Sequence, residues 1–410
     1  MRVGLFTESY DPVINGVSTS VKTLAAELAG LGHEPVVVAP RFAGFADETP
    51  GGGVPSVLRL FSLRTPLNPA NPFVPPPLAG WTPGALRGAA AARFDIVHTQ
   101  QPFGLGMQGR SLAHRLNAPL ISTFHTLYGE YAHYFPLLPT RVVRALVARH
   151  VAWYYNGCDA VIVPSRAAGK TLEAAGVAAA LLRVVPTGVP PPPGVLPAAL
   201  EQARKMLDLP NDDSPLLLFV GRLAREKNLD LLIGAFADLV KHSAAAPPIL
   251  LLVGSGPYQD ECRRLVRAAG LESRVRFAGF LTRAQLAPVY ALATLFTFPS
   301  ATETQGVVLS EAQSHGLPCV VVNGGGAPEF VRDGVDALVA PPGDPAAFTL
   351  AVASLLKDAR KRQAMRAAAL ASPLRPTPSA MARQMVTVYQ EAGQRSGGAA
   401  ARAMRARTLE

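Results

Sequence analysis

Long apolar runs, paired cysteines and a D-x-D triad are all missing from this 410-residue chain, and each absence removes a class of function. No run approaches the roughly 20 apolar residues that a membrane-spanning helix requires. The start, MRVGLFTESY, carries one arginine and a short apolar run that Glu8 cuts off, too short for the apolar region of a signal peptide. The expectation is a cytoplasmic chain, soluble or peripheral on the inner face of the plasma membrane. Cys158, Cys262 and Cys319 occur without a CxxC pair and without a histidine at metal-ligand spacing. That argues against a disulfide framework or a zinc module and suits a reducing compartment. No zinc finger, RNP signature or interleaving of basic and aromatic residues points to nucleic acid as a partner.

What is present is core material. Hydrophobic residues make up 49% and charged residues 17% of a chain longer than one core usually supports, so two globular domains are expected. The net charge of +10 leaves phosphorylated substrates or an anionic membrane surface as partners, against a bland preference for arginine in the coding sequence.

The pattern along the chain is α/β. Arg2–Thr7, Pro35–Ala39, Asp95–His98, Pro119–Phe124, Asp159–Val163 and Leu181–Val185 are short apolar runs separated by helical patterns. Such alternation implies a parallel sheet covered on both faces. Residues 42–94 break the rhythm with proline and glycine and read as loop, with one strand near Val57–Phe61. Pro186–Pro197 contains four consecutive prolines and reads as an extended linker. The rhythm restarts with Leu216–Val220, Ile249–Val253, Val275–Phe277, Leu295–Phe298, Cys319–Val322 and Ala337–Val339. The expected domains are residues 1–188, a linker 189–198, residues 199–372, a helical segment 373–393 and a disordered tail 394–410.

Candidate chemistry gathers at strand ends. Gly221-Arg222-Leu-Ala-Arg-Glu226-Lys227-Asn228 follows a strand and precedes a helix, where its cations can neutralise a diphosphate; alone it is equally a solvated turn. Val253-Gly254-Ser255-Gly256 lacks the third glycine of a dinucleotide fingerprint and reads either as backbone approaching a nucleotide or as a plain βα turn. In FPSATETQGVVLSEAQ, Glu303 lies before a helix expected to begin near Gln305, and Glu311 lies inside it. Glu303 can accept hydrogen bonds from sugar hydroxyls, and Glu311 can take a ribose. The N–H groups of Thr304 to Val308, with Gln305, Gly306 and Val307 among them, suit an anion or hydroxyl. The plainer readings are a dipole-complementing charge for Glu303 and a surface carboxylate for Glu311.

The run Phe219–Pro341 resembles the donor domain of the retaining GT-B glycosyltransferases of family 4. The likeness is carried by VGRLAREKN, VGSGP, RVRFAGFL, FPSATETQGVVLSEAQSHGLPCVV and NGGGAPEFVRDGVDALV. Glu303 and Glu311 fall on that family's E-x7-E pair. The resemblance implies two Rossmann-like domains with the active site in the cleft between them. It implies that Arg222 and Lys227 bind the donor diphosphate, Glu303 the donor sugar and Glu311 the ribose. In the first half, Asn15-Gly16-Val17 resembles the family's glycine loop, which approaches the donor phosphates, and His125 resembles its active-site histidine near a sugar hydroxyl.

With no D-x-D triad in the chain, cations and helix N-termini are expected to stabilise the leaving group without a metal, and no cofactor is expected beyond the UDP- or GDP-sugar substrate. Retention of configuration follows from the resemblance alone. The segments TESYDPVINGVSTSV and HTLYGEYAHYFP look similar to bacterial diacylglycerol glycosyltransferases, which makes Tyr128 and Tyr131 acceptor candidates. The expected helix Pro139–Tyr155 sets an apolar stripe (Val142, Val143, Leu146, Val147, Val151) against Arg141, Arg144 and Arg149, as on a helix lying on an anionic leaflet or packed in a core. That helix, the apolar stretch Pro69–Trp81 and the net charge favour a lipid acceptor. A soluble acceptor (polysaccharide, inositol phosphate or small thiol precursor) is the alternative. A GT-B-shaped isomerase or non-catalytic binder is the reading from another class.

Overall fold

The computed structural model describes residues 1–49, 55–65, 68–75, 93–128, 139–212, 214–242 and 247–395. The chain divides into two compact units, Met1–Gly188 with Thr377–Glu410, and Val189–Pro376. In the first, strands β1 (Arg2–Phe6), β2 (Glu34–Pro40), β3 (Ser56–Leu60), β6 (Ile96–Thr99), β7 (Leu120–Thr123), β8 (Ala160–Val163) and β9 (Leu182–Val184) form one sheet in the order β3-β2-β1-β6-β7-β8-β9. Every pairing in it is parallel. In the second, β10 (Leu216–Val220), β11 (Ile249–Val253), β12 (Val275–Gly279), β13 (Leu295–Phe298), β14 (Cys319–Val322) and β15 (Ala337–Ala340) are ordered β12-β11-β10-β13-β14-β15, again all parallel. In both sheets the strand order reverses beside the first strand, at β1/β6 and at β10/β13, the crevice position where doubly wound folds bind ligands.

Continuous apolar runs are what a sheet buried on both faces requires. Val3 and Leu5, Val37 and Ala39, and Ala160 and Ile162 point into one layer, while Phe6, Val36, Val38, Val161 and Val163 point into the other. Leu217, Phe219, Leu250 and Leu252 alternate with Leu216, Leu218, Ile249 and Leu251 in the same way across the second sheet. The strands lie within a residue or two of the expected runs.

Four expectations change. The proline-rich interruption holds more than one strand: β4 (Leu63–Thr65) and β5 (Asn68–Phe73) form a separate antiparallel pair. Two strands alone have only edges, and an edge tolerates the missing N–H groups of Pro69 and Pro72. The first helix, Gly16–Gly30, takes in Gly16 and Val17 of the expected glycine loop, because Asn15 and Ser18 form a capping box that starts it there. The last helix, Pro378–Arg395, belongs to the first unit, where Met381, Met385, Val388 and Tyr389 fill the layer under β1 and β2. Finally, the apolar stripe of the helix Thr140–Asn156 is split. Val143 and Val151 are buried with Tyr154 and Tyr155, whereas Val142 and Leu146 are exposed at 45% and 56%. Trp81, Tyr131 and the tail from residue 396 lie outside the described residues. No helix among the described residues is long and apolar enough to cross a membrane.

Candidate active site

In the second unit, the loops after β10 and β13 meet at the strand-order reversal. Leaving β10, the chain makes a single 3-10 turn, Arg225–Lys227, and Asn228 takes a left-handed conformation (φ 55°) before the helix Leu229–Lys241. Lys227 Nζ lies 2.5 Å from Glu303 Oε1, with both side chains largely covered. Thr302 Oγ1 donates to the Glu226 carbonyl at 3.1 Å, and Asn228 Nδ2 donates to the Pro299 carbonyl at 3.3 Å. A cation suited to phosphate and a carboxylate suited to hydroxyls are therefore held side by side. Arg222 is exposed on the same loop.

Glu303, Thr304 and Gln305 lie before the helix Val307–Ser314, and Gly306 caps it with φ 81°. The loop is clamped from behind by the run Gly324-Gly325-Gly326, whose part in the site has no local sign in the sequence. A Cβ on Gly324 would come within 2.6 Å of the Ala301 carbonyl, and one on Gly325 within 2.4 Å of the Glu303 carbonyl. Gly326 N–H donates to that same Glu303 carbonyl at 2.7 Å. Val307 opens the helix, and Glu311 sits one turn further on. Burial raises the Glu311 pKa, while the hydrogen bond from Tyr290 Oη to Oε2 at 3.1 Å and the nearby Arg283 oppose the rise. Tyr290, which stacks on His315 at 4.9 Å, was not singled out from the sequence, because an aromatic on an amphipathic helix gives no local sign of its partner.

Gly254 lies at the end of β11 with φ 127°, and a Cβ there would sit 1.9 Å from the Gly221 carbonyl. Leu223 N–H donates to Ser255 and Tyr258 N–H donates to Leu223. Packing of one loop on the next thus requires these glycines, whatever else the turn touches.

In the first unit, His125 follows β7 by two residues, and its Nε2 is 2.8 Å from Gln100 Oε1 at the end of β6. Gln100 accepts through that oxygen, which places the proton on Nε2. Burial pulls the imidazole down to about 4, so it is neutral near pH 7. Beneath it, fully buried His98 pairs with Tyr389 Oη at 2.8 Å and Thr123 Oγ1 at 2.7 Å, and burial with the nearby His125 pulls it down to about 3. Gly16 is exposed in the first turn of its helix rather than in the loop before it, and a Cβ there would meet nothing within 4 Å. Glu8, at the end of β1, accepts from Leu105 N–H at 3.2 Å, and burial pushes its carboxyl up to about 7. A Cβ on Gly104 would collide with that carboxylate. Tyr128 packs edge-on against Phe103 and Phe124.

These features can be set beside known proteins. Residues 14–191 match the model described as Glycosyltransferase Family 4, and residues 203–371 match that of Glycosyl transferases group 1. The chain is 31% identical over 327 residues to the alpha-monoglucosyldiacylglycerol synthase of Streptococcus pneumoniae, covering 78% of this chain and 70% of that protein. It is 32% identical over 311 residues to D-inositol 3-phosphate glycosyltransferase 1 of Catenulispora acidiphila, covering 72% of each. Among solved structures it resembles Anabaena Alr3699/HepE in complex with UDP and glucose, with a TM-score of 0.72 at 20% identity, over 95% of this chain and all of that one.

Proposed function

The chain belongs to the family 4 glycosyltransferases of GT-B architecture, and from that premise we propose that it moves a hexose from a UDP- or GDP-sugar to a lipid hydroxyl such as that of diacylglycerol. The transfer proceeds with retention of configuration and without a metal ion. The observation that carries this reading is the Lys227–Glu303 contact at the strand-order reversal. On donor binding, Lys227 turns to the diphosphate with Arg222, and Glu303 is released to accept from the sugar hydroxyls. Positive charge and the amides around Gln305, Gly306 and Val307 meet the negative charge that grows on the leaving phosphate. Glu311 takes the ribose with the oxygen not engaged by Tyr290. His125, neutral and fixed by Gln100, binds a hydroxyl by hydrogen bonding rather than by charge. The acceptor attacks on the face from which the diphosphate departs, and a phosphate oxygen takes the acceptor's proton.

A lipid acceptor is supported by the likeness to the monoglucosyldiacylglycerol synthase and by the exposed face of the helix Thr140–Asn156. Val142, Leu146 and Trp153 lie exposed on one side of that helix beside Arg149, the arrangement of an interfacial helix. The comparable identity to an inositol-phosphate glycosyltransferase favours the soluble-acceptor reading. A labelled panel of UDP- and GDP-sugars, offered with diacylglycerol vesicles or with inositol phosphate, tests the choice. Label in the lipid fraction is expected; label only in the aqueous product overturns the lipid acceptor.

A further inference from the structure

A cavity of about 270 Å³ opens in the first unit, between the helix Thr140–Asn156 and the helix Arg166–Ala174. Its walls are Phe124, Leu127, Tyr128, Val147, Val151 and Leu172. Three of these come from the segment after β7 that carries His125, so the apolar space begins within a few residues of the group assigned to the reaction centre. Arg144 and Thr171 also line it and are exposed, and they supply its polar end. The space opens to solvent, yet most of its wall offers water no hydrogen-bonding partner, so an apolar guest that covers this wall gains free energy by removing it from water.

We propose that this cavity holds an acyl chain of the acceptor lipid, with the ester or phosphate oxygens of the same lipid at Arg144. The inference rests on the lipid-acceptor reading and adds to it the place where the chain is held. An elongated apolar group with an oxygen-rich end matches both the wall and the cation at the mouth. A sugar or inositol phosphate would leave its hydroxyls unpaired against phenylalanine, leucine and valine. The exposed ridge of Val142, Leu146 and Trp153 lies on a different side of the helix from Val147 and Val151. Docking on a leaflet and holding one chain are therefore separable.

The test is isothermal titration of the full chain with 1-O-alkylglycerols from hexyl to dodecyl. In the wild type, affinity should rise about fourfold per added methylene and then level off as the cavity fills. Ala148 and Ala175 line the cavity and are only partly buried, so a larger side chain there can enter the space without crowding the core. Ala148→Trp and Ala175→Trp should each weaken decylglycerol at least about tenfold and flatten the series, with thermal midpoints checking that both fold. A flat wild-type series overturns the proposal even if neither variant folds, and so does a series unchanged in both folded variants. Sugar transfer to diacylglycerol vesicles is measured in parallel. Transfer to lipid with a flat series overturns the cavity alone, whereas transfer only to a water-soluble acceptor overturns the lipid-acceptor reading and the cavity with it.

Discussion

Lys227 and Glu303 hold each other's charge at 2.5 Å, so removing either leaves the other unbalanced in a largely covered place. Arg222→Ala or Lys227→Ala should cost at least about 2 kcal/mol of transition-state stabilisation, a fall of roughly thirtyfold in kcat/KM. Wild-type kcat/KM in both variants would remove the diphosphate role. If the cations do this work, exhaustive EDTA should leave the rate unchanged; loss that Mg²⁺ or Mn²⁺ restores would show that a metal supplies the charge. Gly16 separates packing from binding, because open space surrounds it. Gly16→Ala should keep or raise the thermal midpoint, since alanine favours a helix by about 1 kcal/mol over glycine. It should still raise KM for the donor if a phosphate approaches that backbone. An unchanged KM argues against that approach.

At the scale of elements, the C-terminal helix reaches the histidine network through one hydroxyl. Tyr389→Phe leaves His98 Nδ1 unpaired in a site with no solvent contact, and should lower the free energy of unfolding by about 1–3 kcal/mol. A urea melt reads it directly, and a midpoint equal to wild type would mean that the hydroxyl contributes nothing. The helix Thr140–Asn156 makes a second test. Arg141 and Arg149 are exposed and lie off the proposed acyl cavity. Replacing both with Gln should weaken binding to anionic vesicles by roughly thirtyfold, at about 1 kcal/mol per arginine. Co-sedimentation at low and moderate salt measures this, because screening must weaken a genuine electrostatic contact. Wild-type protein that stays in the supernatant at every lipid composition rules out the docking face.

For the whole molecule, buried histidines set the response to acid. His98 and His125 have folded pKa values of about 3 and about 4, below the unfolded 6.5. Below pH 6.5 the unfolded chain binds protons that the folded chain refuses. Stability present above 6.5 is therefore lost as pH falls toward 4, by about 1.4 kcal/mol per pH unit for each proton. Glu8 works in the opposite direction: its folded pKa of about 7 exceeds the unfolded 4.5, so it loses stability as pH rises between those values. Two histidines outweigh one carboxyl, and denaturant midpoints should fall from pH 6.5 to pH 5. Glu8→Gln should steepen that fall; a flat profile in both proteins would contradict the burial of these groups.

Strand runs such as Leu216–Val220 and Ile249–Val253 were legible in the sequence because a sheet covered on both faces needs unbroken apolar residues, a local property of the chain. Glu303 before a helix and Glu311 within it were legible for the same reason, since proline, glycine and periodicity mark where a helix starts and stops. The partners were not. Gln100 against His125, Tyr389 against His98 and Tyr290 against Glu311 join residues 25, 291 and 21 positions apart. The close approach of Gly324 and Gly325 to the Glu303 loop likewise exists only once β13 and β14 lie side by side. Sequence periodicity assigned Val142 and Leu146 to the same stripe as Val143 and Val151, but only packing decided which were covered, because burial depends on what lies opposite. By itself the sequence determined the strands, the helices and the kinds of group at their ends; the tertiary structure decided which of those groups share a proton, a charge or a cavity, because such contacts depend on distances between segments far apart along the chain.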